Sequence, residues 1–399
     1  MNLSKRMSTI SESVTLKLNA LVESMKADGV PIINLTAGEP DFGAPEEAKK
    51  AIIKAVEQGK NKYAPVAGVN ELRSCVAQKT NLQQPSISSP WTAANVLITN
   101  GAKQALYNTF LSIMNETDEV LIPEPYWLSY PEMVKIAGGC PKAIETRPQD
   151  GFKLTPDVLR RSVSSWTKAI VLNSPSNPTG AVYSRDEYRA LADVLLQKPF
   201  ENVWIISDEI YDRIEYTDGQ FSSFLGAAPE LQNRVVTING MSKVFAMTGW
   251  RVGWIVANSE LIKATAKLQG QSTSGVNSLA QWASIAALDA KTSTFPEQLE
   301  KYKSRRAIAL DILQECGKIE VVEPMGAFYV FVGLKNLLSR YESAIEWSEH
   351  LLKEKGVAVV PGNAFGRSDY VRISFATDEK SIEEGCKKFV QFAEESLTI

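Results

Sequence analysis

From about Val96 to Trp254 the chain repeats one arrangement: a short unbroken apolar run ending in turn or polar residues, then a longer amphipathic stretch. The runs are "NVLITNG", "DEVLIPEP", "KAIVLNSPSNPTG", "VWIISDEIYD", "RVVTINGMSK" and "RVGWIVAN". Between them, "AKQALYNTFLSIM" and "RDEYRALADVLLQ" have helical spacing. Strands that are apolar at successive positions predict a sheet covered on both faces, hence a largely parallel α/β core. In such sheets chemistry gathers beyond the carboxyl ends of the strands. Gly101, Ala102, Lys103, Asn177, Asp208 and Lys243 each follow an apolar run, so each belongs at that edge.

After roughly residue 290 the pattern changes. A charged helical stretch, "PEQLEKYKSRRAIALDILQECG", leads to "IEVVEPMGAFYVFVGL", another helix, then "GVAVVPGNAFG" and "YVRISFATDEKS". This order predicts a smaller α+β domain onto which the N-terminal segment through Phe42 packs. The expected division is a large domain over 43–288 and a small one made of 1–42 and 289–399.

The 399 residues are 44% hydrophobic and 22% charged, the balance of a globular protein with a large core. A net charge of −3 without any basic run gives nucleic-acid binding no electrostatic support. No stretch approaches the roughly 18 uninterrupted apolar residues of a membrane span. "MNLSKRMSTISESVTLKLNA" lacks the apolar core of a secretion signal, so none is expected. Cys75, Cys140, Cys316 and Cys386 lie far apart with no CxxC, as suits reduced thiols in a cytoplasmic protein. The one histidine, His350, sits in the amphipathic "YESAIEWSEHLLKEKG", which places it on a solvated helix face. A Ser-His-Asp triad on His350 is not expected, and a multi-histidine metal site is impossible. Proton transfer then falls to another group, and a lysine of lowered pKa is one option.

"NGMSKVFAMTGWRVGW" holds such a lysine. Lys243 and Arg251 stand eight apart among small and apolar residues, with no acid between them. On its own the pair has an ordinary reading, a snorkelling lysine and an arginine with a distant carboxylate. "VLITNGAKQALYN" places Gly101, Ala102 and Lys103 at a helix N-terminus, where free amides and the dipole suit a phosphate. "IISDEIYD" puts Asp208, Glu209 and Tyr211 at the end of a buried strand, and "NSPSNPTG" sets Asn177 in a rigid turn. A glycine turn, a capping carboxylate and plain turn chemistry would explain each alone. A phosphate site, a carboxylate, a hydroxyl, an amide and a buried lysine together describe a pocket for pyridoxal 5′-phosphate.

At this point the sequence resembles the fold-type I aminotransferases, specifically the class I aspartate-aminotransferase group. The resemblance runs from "LTAGEPDF" (Leu35 to Phe42) to "VRISFATDE" (Val371 to Glu379), and its most specific motif is "GMSKVFAMTGWRVG". It implies pyridoxal 5′-phosphate as cofactor and a homodimer with shared active sites. It also implies amino transfer from an L-amino acid, aspartate favoured, to a 2-oxo acid such as 2-oxoglutarate. Lys243 resembles the Schiff-base lysine, and Arg251 resembles the phosphate-binding arginine. Gly101, Ala102 and Lys103 match the phosphate-binding turn. Asp208 matches the acid that keeps the pyridine nitrogen protonated. Tyr211 and Asn177 match the partners of the ring hydroxyl, and Trp127 matches the aromatic stacked on the ring. Tyr63, in "NKYAPVAGVNELR", resembles a tyrosine that reaches the phosphate across a dimer interface. Arg372 matches the arginine for the substrate α-carboxylate, with Gly38 nearby.

The chain departs from the pattern in three places. Three residues before the lysine, where many relatives carry a phosphate-binding serine, stands Gly240, which lowers the expected phosphate affinity but not the function. The branch that uses prephenate has a lysine and a proline before an N-terminal Ser-x-Thr. Here the chain reads Ser11, Glu12, Ser13, Val14, Thr15, which argues against prephenate. "QSTSGVNSLAQW" offers no arginine for a distal carboxylate, so aspartate is favoured by resemblance and aromatic or neutral amino acids are its rivals. A pyridoxal-phosphate lyase on the same fold would keep Lys243 and Asp208 but steer the carbanion to elimination. A regulatory aminotransferase-like module would carry a DNA-binding domain, whereas this chain begins almost at once with the family's N-terminal segment.

Overall fold

The computed structural model describes residues 3–10, 14–217, 221–289 and 295–396. A two-residue strand, β1 (Ile33–Asn34), precedes the main sheet. That sheet comprises β2 (Val96–Thr99), β3 (Glu119–Glu124), β4 (Cys140–Glu145), β5 (Thr167–Asn173), β6 (Trp204–Asp208), β7 (Val235–Gly240) and β8 (Gly253–Val256). Their order is β2-β8-β7-β6-β5-β3-β4, and every strand runs the same way except β8, which is antiparallel to β2 and β7. β2, β7 and β8 are buried at every position, so the unbroken apolar runs do mark a sheet covered on both sides. Alternate residues serve different layers: Val96 and Ile98 join one apolar cluster, and Leu97 joins the other. Helix Gly101–Ile113 covers one face through Leu106 and Phe110, and Asn70–Gln83 covers the other through Leu72 and Val76.

The strand β4, "CPKAIE", has no apolar run to announce it. It lies at the sheet's edge, half open to solvent, where Pro141 costs little pairing.

A second, antiparallel sheet has the order β12-β13-β10-β9, from β9 (Glu320–Val322), β10 (Tyr329–Gly333), β12 (Val360–Pro361) and β13 (Tyr370–Ser374). Between β10 and β12, β11 (Val357–Ala358) pairs in parallel with β1. The N-terminal segment therefore pairs with the C-terminal part of the chain. The Ser374 amide donates to Leu35 O at 2.8 Å, which lays residues 35–38 beside β13. Helix Phe295–Gln314 leads from the large sheet to this unit and packs on helix Glu379–Glu395. His350 is on the exposed face of helix Ala344–Lys355, 3.0 Å from Glu354 Oε1. Among the described residues no helix is long and apolar enough to cross a membrane.

Candidate active site

Strand register gathers the site. Asn173 pairs with Asp208 across β5 and β6, and Asp208 with Ile238 across β6 and β7. Gly253, the first residue of β8, pairs with both Gly240 and Thr99. Because β8 runs backwards, Arg251 enters it at the edge where the other strands leave. The reversal brings Arg251 to Lys243 and to the turn at Gly101.

That close approach requires glycines. A Cβ on Gly253 would sit 2.4 Å from Ala102 N, and one on Gly101 would sit 2.5 Å from Arg251 Nη2. Gly101 has φ +77°, a conformation that glycine adopts without a steric penalty. Helix Gly101–Ile113 has no side-chain cap on its first amides. Arg251 donates only to carbonyls, Thr248 O at 2.9 Å and Asn100 O at 3.2 Å. Lys103 Nζ stands 5.0 Å from the Trp127 ring centroid, and the protein around it and the Arg251 charge lower its pKa. Neither cation forms an ion pair among the described residues. Open amides and two unneutralised cations make a cradle for a phosphate.

Lys243 is half-buried and donates from Nζ to Gly38 O. Burial, then the Arg372 charge, brings its pKa down to about 8; Arg251 adds to this, while Glu39 and Asp208 oppose it. Nζ lies 5.8 Å from the Tyr211 ring. Tyr211 Oη is 3.0 Å from Tyr329 Oη, and the Arg372 guanidinium lies over the Tyr329 ring at 4.3 Å. Arg372 is 3% exposed. Its guanidinium lies between the Tyr329 ring and the Phe365 ring, 5.1 Å from the latter. The protein satisfies the Arg372 guanidinium only in part. Nη1 donates to Asn177 Oδ1 and Nη2 to Thr36 O, both at 2.9 Å, while the buried Nε has no partner. Among the described residues no carboxylate pairs with this arginine, which suits a carboxylate ligand.

Asp208 is the complementary charge. Its buried carboxyl accepts from Tyr130 Oη at 2.6 Å and from the Ile210 amide at 3.2 Å. Burial pushes its pKa up to about 6 against these bonds and the Lys243 charge. It has no ion pair among the described residues, so a cationic ring nitrogen would relieve it. Trp127 packs edge-to-face on Tyr130, with centroids 5.3 Å apart. Asn177 N donates to Asn173 Oδ1 at 2.9 Å, and Asn173 Nδ2 to Asp208 O at 3.0 Å. Donors for a phosphate, a carboxylate for a ring cation and an amine of lowered pKa fit pyridoxal phosphate. The described residues contain no cluster that could hold a metal ion.

Of the residues that the family resemblance assigns to the site, all but one converge here. Tyr63 does not: its side chain is 103% exposed and makes no hydrogen bond or ring contact among the described residues. Its loop still abuts the turn, since Gly275 packs on Ala64 O while Thr273 Oγ1 accepts from Gln104 in the helix that begins at Gly101. Sequence reading missed Tyr130 and Tyr329. Tyr130 follows Trp127 by three, a helical spacing that could have flagged it. Tyr329, inside "AFYVF", looks like core. Ser11 to Ser13, on which the argument against prephenate turns, lie outside the described residues.

Residues 30–389 match the family described as "aminotransferase class I and II". A protein of Rhizobium leguminosarum bv. phaseoli, named a probable aspartate/prephenate aminotransferase, is 39% identical over 397 residues, 98% of each chain. The crystal structure of the aspartate aminotransferase from Rhizobium meliloti superposes with a TM-score of 0.93 at 37% identity, covering 99% of each chain. That of Thermus thermophilus aspartate aminotransferase with maleate gives 0.91 at 39% identity, covering 98% of this chain and 100% of the other. With its reversed β8, its glycine-lined turn and likeness over its whole length, this chain belongs to the class I and II aminotransferases and is a transaminase.

Proposed function

We propose that the chain uses pyridoxal 5′-phosphate to move the amino group of an L-amino acid, aspartate favoured, to a 2-oxo acid such as 2-oxoglutarate. The observation that carries this reading is an amine lowered to about 8 near two arginines, Arg251 and Arg372, neither of which pairs with a carboxylate among the described residues. When bound, the cofactor supplies an aldehyde for an amine and a protonated ring that accepts the electron pair released at Cα. Gly101, Ala102, Lys103 and Arg251 hold its phosphate. Trp127 covers the ring, Asp208 keeps the ring nitrogen protonated, and Tyr211 and Asn177 bond the ring hydroxyl. Arg372 takes the substrate α-carboxylate, with Asn177 and Gly38 beside it. Lys243 would anchor the cofactor through its amine and would carry the proton that leaves the substrate Cα. A lysine in this role explains how a chain with a single, exposed histidine performs acid–base chemistry.

Aspartate is favoured because relatives over the full length are aspartate aminotransferases, one solved with the dicarboxylate maleate. The functional unit in this reading is a homodimer in which Tyr63 completes the partner's phosphate site. Its large domain spans 43–288, and both chain ends form the small one. Four free cysteines suit a reducing cytoplasm. A panel of amino donors against 2-oxoglutarate and oxaloacetate tests the reading. One 2-oxo acid should form per acceptor consumed, with the highest kcat/KM for aspartate. Ammonia release without an acceptor would make the protein a lyase instead.

A further inference from the structure

Residues 36–41 touch both Arg372 and Lys243, the two residues read as handling the substrate. Thr36 O accepts from Arg372 Nη2 at 2.9 Å, and Gly38 O accepts from Lys243 Nζ. Glu39 Oε2 accepts from Thr248 Oγ1 at 2.7 Å, in the turn that leads to Arg251. The segment has little regular structure of its own, so something else must fix it. At its end, Asp41 meets Arg305 of helix Phe295–Gln314 in a two-pronged ion pair, Nη1–Oδ1 at 2.8 Å and Nη2–Oδ2 at 2.7 Å. The Arg305 side chain is 7% exposed and the Asp41 side chain 34%. The guanidinium also lies 5.0 Å from the Phe42 ring. Phe42 meets Tyr302 edge-on, Tyr302 stacks on Phe328, and Phe328 is 5.8 Å from Lys243 Nζ.

We infer that Asp41 and Arg305 form an ionic clamp that positions residues 36–41, and thereby the Thr36 and Gly38 carbonyls, for substrate carboxylate binding and proton transfer. Neither residue touches the substrate. They are positioning residues, and the inference rests on the reading that Arg372 binds the α-carboxylate and Lys243 moves the proton. The paired fork is directional as well as strong, so it fixes the segment's orientation and not merely its proximity. A lysine at 305 would keep the charge and lose that geometry.

The sign of the effect on Lys243 follows from its neighbours. The charged and titratable groups that face Nζ are Arg372, Glu39, Arg251, Asp208 and Tyr211. The Gly38 carbonyl and the Glu39 charge favour the protonated amine, and both belong to the clamped segment. A slack segment therefore makes Lys243 easier to deprotonate, and the acid limb of the kcat profile moves to lower pH.

The experiment uses the holoenzyme with Asp41→Asn, Arg305→Lys and Asp41→Glu. Succinate, an unreactive carboxylate, is titrated by cofactor absorbance, alongside kcat against pH and Tm. Asp41→Asn and Arg305→Lys should retain cofactor and raise the succinate Kd about tenfold, equivalent to about 1.4 kcal/mol. The acid limb should fall by about half a pH unit. Asp41→Glu, which keeps a carboxylate, should recover part of both. A folded Asp41→Asn or Arg305→Lys enzyme with wild-type succinate affinity and an unmoved acid limb would overturn the clamp, even if its Tm fell. Arg372→Lys separates the two ideas: if it left succinate binding unchanged, the carboxylate assignment itself would fail, whatever the clamp variants showed.

Discussion

Three side chains carry the proposed chemistry. Arg372 presents a planar fork whose Nε is buried without a partner, and a lysine cannot imitate that shape. Arg372→Lys should lower kcat/KM for every amino donor by about a hundredfold, or roughly 3 kcal/mol, with cofactor absorbance unchanged. A loss confined to dicarboxylic donors would mean that Arg372 reads the distal carboxylate. Lys243, at about 8, is protonated and not nucleophilic below that value. Covalent uptake of cofactor by the apoenzyme should therefore speed up as pH rises through about 8 and level off above it. Stopped-flow absorbance measures this, and a rate still climbing steeply above pH 9 would contradict the lowered pKa. Asp208 should matter most after binding: Asp208→Ala should slow Cα deprotonation in single turnovers more than it weakens cofactor binding. Asp208 closes β6, Lys243 follows β7 and Arg372 lies inside β13, and each stands in a motif, which is why the sequence singled them out. Tyr130 and Tyr329 were not, since only the folded chain brings residue 130 to 208 and residue 329 to 372.

Among the elements, β8 has the largest consequence for the site. Its apolar run announced a strand, but nothing in "RVGWIVAN" announces its direction. Reversal depends on the short chain between Gly240 and Gly253, which holds Lys243 and Arg251 in a compact turn in place of a crossover helix. Direct abutment of Gly253 on the Ala102 amide predicts that Gly253→Ala displaces the phosphate turn. Overpacking of this kind costs about 1–3 kcal/mol. Cofactor affinity should fall, as equilibrium dialysis would show, and wild-type affinity would contradict the close approach. Gly240 sharpens the point. A Cβ there would meet Gly253 Cα and Val252 O at 2.9 Å. Adding the serine that many relatives carry should therefore weaken cofactor binding in this chain, despite the extra hydroxyl.

For the whole molecule, β1 near one end of the chain pairs with β11 near the other. A single chain leaves Tyr63 fully exposed beside the phosphate turn, and our reading seats it in a partner's site. Mixing Tyr63→Phe chains with Lys243→Ala chains tests this. Lys243→Ala sites cannot turn over, but in a heterodimer the intact lysine meets a wild-type tyrosine, so cofactor affinity should return to normal there. Full activity from an isolated monomer would defeat shared sites. All of these roles depend on which amine holds the cofactor. Borohydride reduction of the yellow holoenzyme, followed by peptide mapping, should place one pyridoxyl group per chain on Lys243, and a group on any other lysine, or none, would contradict it.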